Sequence, residues 1–92
     1  MKVKKFLTKR RWTKGAFALT KRGRTCSTSC RWATKFCLIG AVRKCYHELE
    51  ERRNVLSRIA AALNNTNGIA GFNDHPSTTF EQVKALVVKL DV

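Results

Sequence analysis

The apolar positions of this chain fall into one continuous run, two helical stripes and two short clusters. The run is "FCLIGAV", Phe36 to Val42. Polar residues bracket it: Arg31, Thr34 and Lys35 before, Arg43, Lys44 and His47 after. The pattern predicts a helix over 29–47, regular from about Arg31 to His47, with "STSC" at 27–30 supplying candidate N-caps. A helix that is apolar on every face is surrounded by protein, so this one is expected at the centre of the fold. Gly40 costs about 1 kcal/mol of helix propensity against alanine. Its use would be to let a neighbouring backbone or ring come close.

The stripes follow. In 48–64, Leu49, Arg52, Leu56, Ile59 and Leu63 repeat at helical spacing, and Val55 and Ala62 widen the face. Glu48, Glu50 and Glu51 sit in the first turn, where the helix dipole favours acids. "NNTNG" should end this helix, with Gly68 or an asparagine in the left-handed cap conformation. In 78–91, Phe80, Val83, Leu86, Val87 and Leu90 form a second stripe, and Thr78 with Glu81 fits a capping box. Between them "IAGFNDHPS" reads as a loop or short extended piece, because Gly71 and Pro76 oppose helix. Before the central run, 12–25 reads as a β-hairpin turning at "KRG". Residues 1–11 read as a basic arm, either a short helix on Val3, Phe6 and Leu7 or a frayed end. The fold class expected is mainly α (α+β): a single domain over 1–92, with three to four helices around a central buried helix and one small β-hairpin.

Charge changes the picture from architecture to function. Residues 1–47 hold fourteen Lys and Arg and no Asp or Glu; residues 48–92 hold five and six. The first half thus carries all of the net +13. Such crowding destabilises a compact chain, and a polyanion relieves it. Nucleic acid is the first candidate, an anionic membrane surface the second, and an acidic protein the third. The cations that would meet phosphates are Lys2, Lys4, Lys5, Lys9, Arg10, Arg11, Lys14, Lys21, Arg22, Arg24 and Arg31, with Phe6, Trp12 and Phe17 among them. Aromatic rings between cations can stack on exposed bases, or can equally belong to the core. No zinc-finger, RNP or GXXG signature of a nucleic-acid reader is present. The start has basic residues without an apolar h-region, and no run approaches the roughly 20 residues of a membrane span. A cytoplasmic protein with reduced cysteines is therefore expected.

Two chemistries compete with plain packing at those cysteines. Cys37 could be a nucleophile, with His75 as base and Asp74 or Asn73 as orienter. Its place in an apolar run argues for a buried, inert thiol instead. Cys26, Cys30, Cys45 and His47 offer two pairs of soft ligands, as zinc sites do. The pairs would lie at opposite ends of a helix of about 15 residues, some 22 Å apart, too far for one tetrahedral ion. "FNDHPST" is explained fully by an Asx-turn and a helix entrance, or by a buried Asn or Asp that holds the hairpin or the central helix.

Three segments in order carry a resemblance: "RWTKGAFALTKRG", "RWATKFCLIGAV" and "GFNDHPSTTFEQVKALV". The chain resembles a family of small proteins of unknown function found in actinobacteria and phages. Its pattern is W-x-x-G-A-x-A, then C-L-x-G-A, then W-N-D-x-P. Trp12, Gly15, Ala16 and Ala18 match the first motif; Cys37, Leu38, Gly40 and Ala41 the second; Asn73, Asp74 and Pro76 the third, with Phe72 where the family often has Trp. The match spans residue 11 to about residue 90. The resemblance implies one domain and a phage or bacterial setting, and it brings no activity. Where the family pattern carries acids after Gly15, this chain has "LTKRG", so its positive charge is its own feature.

The function expected is a small non-catalytic basic module in a bacterial host cell. It would bind nucleic-acid phosphates, RNA or DNA, or a nucleoprotein complex, without cofactor or membrane. A phage protein acting on a host defence complex, an anti-CRISPR candidate, is one form of that expectation. The alternatives are a thiol enzyme using Cys37, His75 and Asp74, and an interaction domain for an acidic protein.

Overall fold

A computed structural model describes residues 1–64 and 68–92. The order is α1 (Val3–Phe6), β1 (Ala18–Thr20), β2 (Ala33–Phe36), α2 (Leu38–Cys45), α3 (Leu49–Leu63), α4 (Gly68–Asp74) and α5 (Phe80–Leu90). The fold is mainly helical α+β, with one two-stranded antiparallel sheet. Helix α2 touches α1, α3, α4 and β2, which makes it the central helix. Among the described residues no helix is long and apolar enough to cross a membrane.

The run "FCLIGAV" is not one helix. Phe36 ends β2, Cys37 is the N-cap, and α2 begins only at Leu38. The helix expected over 29–47 is therefore eight residues long. Its predecessor, Ala33–Phe36, pairs with β1 instead, with Ala18 opposite Phe36 and both buried. The N-cap is a cysteine rather than a residue of "STSC": Cys37 is extended (φ −76°, ψ 176°), and its Sγ accepts the Gly40 N–H at 3.3 Å. Within α2, Leu38, Gly40, Ala41 and Val42 are buried. A Cβ built on Gly40 would lie 1.9 Å from the Phe17 carbonyl oxygen, so glycine is what lets the β1 strand lie on this helix.

The hairpin expected within 12–25 is redistributed. "KRG" does turn, with Gly23 at φ +82° and hydrogen bonds from Gly23 N to Thr20 O and from Thr20 N to Arg24 O. The return arm contributes a single bridge, Leu19–Thr25, and the chain then runs through 26–32 to the true partner, β2. The other edge of β2 takes Trp12 in a parallel bridge. Pairing alternatives that share the same composition are decided by which strand buries its apolar face, and Phe36 does so.

The basic arm is docked, not frayed. Val3 and Leu7 are fully buried, and Val3 N donates to Val92 O at 2.7 Å. The Lys84 ammonium donates to the carbonyls of Lys4 and Leu7, capping α1 from α5. Residues 68–74, expected to be loop, form α4 despite Gly71; Pro76 ends the helical stretch just beyond it. In α3, Val55 and Ile59 are the buried residues, whereas Leu49 is 65% exposed and Ala62 is exposed. Arg52 donates to the carbonyls of Tyr46 and Arg43 and closes the bend between α2 and α3. Asn64 caps α3 in the left-handed conformation (φ 46°, ψ 43°), as expected of an asparagine there; residues 65–67 of the expected terminator lie outside the described residues. The capping box of α5 is one residue later than expected: Thr79 and Gln82 exchange the two bonds, and Thr78 is buried.

Candidate functional site

The eleven cations singled out in the sequence divide into two groups. Five make a side-chain contact within the fold, four of them as part of its packing. Lys2 and Lys4 both pair with Asp91, the former at 2.9 Å. Bonded by Lys4 first and Lys2 second, the Asp91 carboxyl is held at about 2. Arg11 donates to the Phe6 carbonyl at 3.0 Å and lies 4.9 Å above its ring. Lys14 donates to the His75 carbonyl at 2.6 Å and stands 5.5 Å from the Trp12 ring. Lys9 reaches Glu81 at 4.0 Å, with both side chains open to solvent, a contact worth little.

The second group is uncommitted. Lys21, Arg22 and Arg24 sit exposed on the turn after β1, and Lys5 and Arg10 on the α1 side. Among the described residues none of these five has a side-chain hydrogen bond or an ion pair. Arg31 places its guanidinium 4.6 Å over the ring of Trp32. Thr20, Lys21, Arg22, Arg24, Arg31, Trp32 and Thr34 together line an open groove of about 520 Å³. The turn projects the cations, and the β1–β2 ribbon fixes the wall. Four of the cations without an ion pair among the described residues, Lys21, Arg22, Arg24 and Arg31, line this one groove.

Trp32 is the residue that the sequence did not single out. It is 64% exposed, which is uncommon for so large an apolar side chain in a structure with a filled core. Trp12, singled out instead, is half-buried and hydrogen-bonded inside. Phe6 packs edge-on against Phe36 at 5.2 Å. Phe17 is 48% exposed beneath the Arg43 guanidinium, at 4.4 Å. The signal for Trp32 was its setting: "SCRW" follows a polar loop and adjoins no apolar neighbour on its N-terminal side.

The three motifs of the sequence meet at Asn73, which is fully buried. Its Oδ1 accepts from the Trp12 indole N–H at 2.7 Å and from the Leu38 N–H at 3.0 Å. Its Nδ2 donates to the Thr13 carbonyl at 3.0 Å and to Asp74 Oδ1 at 2.8 Å. Two acceptor positions and two donors are the full capacity of an amide side chain. Asp74 Oδ1 in turn accepts the Gly15 N–H at 2.9 Å. Asn73 thus ties the 12–15 segment to the start of α2 and satisfies a first-turn N–H that the helix itself cannot. The buried-asparagine reading of "FNDHPST" is the one the geometry bears out.

Cys37 and Asp74 share a second pocket of about 320 Å³, also lined by Gly15, Phe17, Thr25 and Cys26. Burial is the main cause pushing the Cys37 thiol up; the Gly40 and Ile39 N–H groups oppose it, Asp74 adds to it and Arg43 opposes it. His75 is engaged elsewhere: its Nδ1 meets the Ser77 hydroxyl at 2.7 Å and accepts the Ser77 N–H at 3.1 Å. Of the three residues named for thiol catalysis, the structure brings two together.

Cys26 and Cys30 are half-buried neighbours in the loop after the turn, and burial first, then Cys30, raises the Cys26 thiol. Cys45 is half-buried at the end of α2, and His47 is exposed beyond it. The 15-residue helix that was to separate the two ligand pairs does not exist, yet among the described residues no three His, Cys, Asp or Glu side chains gather as a metal set.

Among the described residues, a mainly helical α+β fold with a basic turn and groove on its β1–β2 ribbon is the class that the structure defines. A family model described as a family of unknown function, DUF6197, matches residues 2–89, and the chain belongs to that family. No curated protein and no solved structure matches it.

Proposed function

We propose that the protein is a non-catalytic module that binds a polyanion, with nucleic-acid phosphates as the natural ligand, through the turn and groove of the β1–β2 ribbon. One observation carries this reading: Lys21, Arg22, Arg24 and Arg31 surround one groove without a carboxylate partner among the described residues, on a chain of net charge +13. Cations with no hydrogen bond or ion pair to offset them add self-repulsion to the folded state. Phosphates neutralise them and release counterions, which supplies most of the affinity of such contacts. Lys2, Lys4, Arg11 and Lys14 fall out of the interface, because their charges or donors are already used in the fold. A host nucleoprotein complex presents the same phosphates, so the phage role expected from size and charge is one setting for this activity.

The test compares two charge variants of equal size in elution from a heparin column. Lys21→Gln/Arg22→Gln/Arg24→Gln should elute at distinctly lower salt than wild type. Lys2→Gln/Lys9→Gln/Lys14→Gln loses the same formal charge and should elute much nearer to wild type. Equal shifts for the two would mean that net charge alone acts and that the ribbon is no interface. Retention of an acidic protein, with none of polyphosphate or oligonucleotides, would move the function to a protein partner.

A further inference from the structure

We infer that the groove accepts single-stranded nucleic acid, with Trp32 as the platform on which an unpaired base stacks; this rests on the polyanion reading above. The groove is not made of cations alone. Its wall is an indole that is 64% exposed, stacked under the Arg31 guanidinium at 4.6 Å. Binding phosphates requires no ring, and leaving a tryptophan in water forgoes the burial it would gain in the core. Lys21, Arg22 and Arg24, on the turn after β1, line the same groove as Arg31 and Trp32. That pairs a backbone-tracking cluster with an aromatic face, the combination by which proteins hold single strands irrespective of sequence. Thr20 and Thr34 line the same groove; Thr20 Oγ1 already accepts the Arg24 N–H at 3.3 Å and Thr34 Oγ1 donates to the Leu19 carbonyl at 3.4 Å, which leaves the first hydroxyl a donor and the second an acceptor for sugar or base edges. The volume of about 520 Å³ lies within the ~300–1,000 Å³ usual for ligand sites.

The choice of single strand over duplex follows from where a base exposes its face. Inside a helix each base is covered above and below by its neighbours, and a side-chain ring reaches it only after extrusion, which costs unpairing and unstacking. An unpaired base offers both faces at no such cost. Arg31 serves twice here, since a guanidinium can lie over an indole while its N–H groups bond a phosphate.

The experiment is fluorescence anisotropy at low salt with three labelled probes: a dT oligomer of about 12 nucleotides, within the footprint range of small single-strand binders, a duplex of the same length, and inorganic polyphosphate. Trp32→Ala should weaken dT binding by about 5- to 100-fold, the loss of one stacked base, and leave polyphosphate within about twofold. Trp32→Phe, which keeps a ring, should recover most of the dT affinity. Because Trp32 is exposed, both variants should melt near wild type, and circular dichroism checks that they do. If all three probes bind in a salt-sensitive way and Trp32→Ala changes none of them, the polyanion reading stands and the single-strand inference falls. If duplex binds more tightly than dT in wild type, the inference also falls. If none of the probes binds, the polyanion reading itself is wrong.

Discussion

Replacing Gly40 with alanine tests the packing that positions the ribbon. In most helix interiors this change stabilises, by about 1 kcal/mol of backbone propensity. Here the new Cβ would lie 1.9 Å from the Phe17 carbonyl oxygen and 2.9 Å from its carbonyl carbon. Both are backbone atoms, so no side-chain rotation relieves the clash. The segment leading into β1 must move away from α2 by more than 1 Å. That movement stretches the bond from Cys37 N–H to Phe17 O, already 3.3 Å long, and disturbs the buried contact of Ala18 with Phe36. Overpacking of this kind costs about 3 kcal/mol at the upper end of its usual range, and the lost hydrogen bond adds about 1 kcal/mol. After the propensity gain, the net expected loss is about 3 kcal/mol. For a domain of this size that lowers the melting temperature by roughly 12–24 °C. Urea titration followed by circular dichroism at 222 nm reads the difference directly. A Gly40→Ala protein as stable as wild type would refute the close approach of Phe17 to α2.

Other consequences of the structure can be measured in the same way. Asn73→Ala removes a side chain that makes four hydrogen bonds and leaves the Leu38 N–H and Trp12 indole N–H without their acceptor; a loss of about 3–5 kcal/mol is expected by urea titration, and a loss under 1 kcal/mol would contradict the hub. Cys37→Ser keeps an N-cap acceptor for Gly40 N–H, so a stability change of about 1 kcal/mol or less and unchanged polyanion affinity are expected, whereas lost affinity would place Cys37 in the interface. Asp91 has a depressed folded-state value of about 2, so its contribution is present above the ordinary carboxylate value near 4 and is lost as pH falls through about 2; melting curves should show wild type losing more between pH 4 and 2 than Asp91→Asn, and parallel losses would rule out the pairing with Lys4 and Lys2. Cys37 should react with a thiol reagent far more slowly than Cys30, because it is buried and its thiolate disfavoured.

The sequence carried α5 and α3 to within a residue or two, because their stripes are long and periodic. It carried Gly40 as a site of close approach and Asn73 as a candidate buried anchor. It misread the start of the central run, since seven apolar residues suit a strand end as well as a helix and periodicity cannot separate the two. The deciding contact is between Phe36 and Ala18, eighteen positions apart, which no local pattern encodes. Helix α4 was hidden by Gly71, whose intrinsic cost is overridden when Ile69 and Phe72 pack on the core and Asn73 reaches inside. The surface proposed to bind polyanions was legible as charge and not as place. Lys2 and Lys4 look no different in sequence from Lys21 and Arg22; only the docking of α1 against Asp91 tells them apart. Trp32 was not singled out in the sequence; Trp12, whose ring could equally have been core or exposed, packs against the core, and Trp32 is the exposed one.

The salt dependence of oligonucleotide binding tests the central claim most directly. Affinity for the labelled dT oligomer, measured from about 50 to 200 mM salt, should fall along a straight line of log K against log salt. With Lys21, Arg22, Arg24 and Arg31 as the phosphate contacts, the slope expected for a single strand is about −3, and it should drop to about −1 in the Lys21→Gln/Arg22→Gln/Arg24→Gln protein. A slope that does not change in that variant, or no binding even at the lowest salt, would contradict the assignment of the ribbon as a polyanion-binding surface.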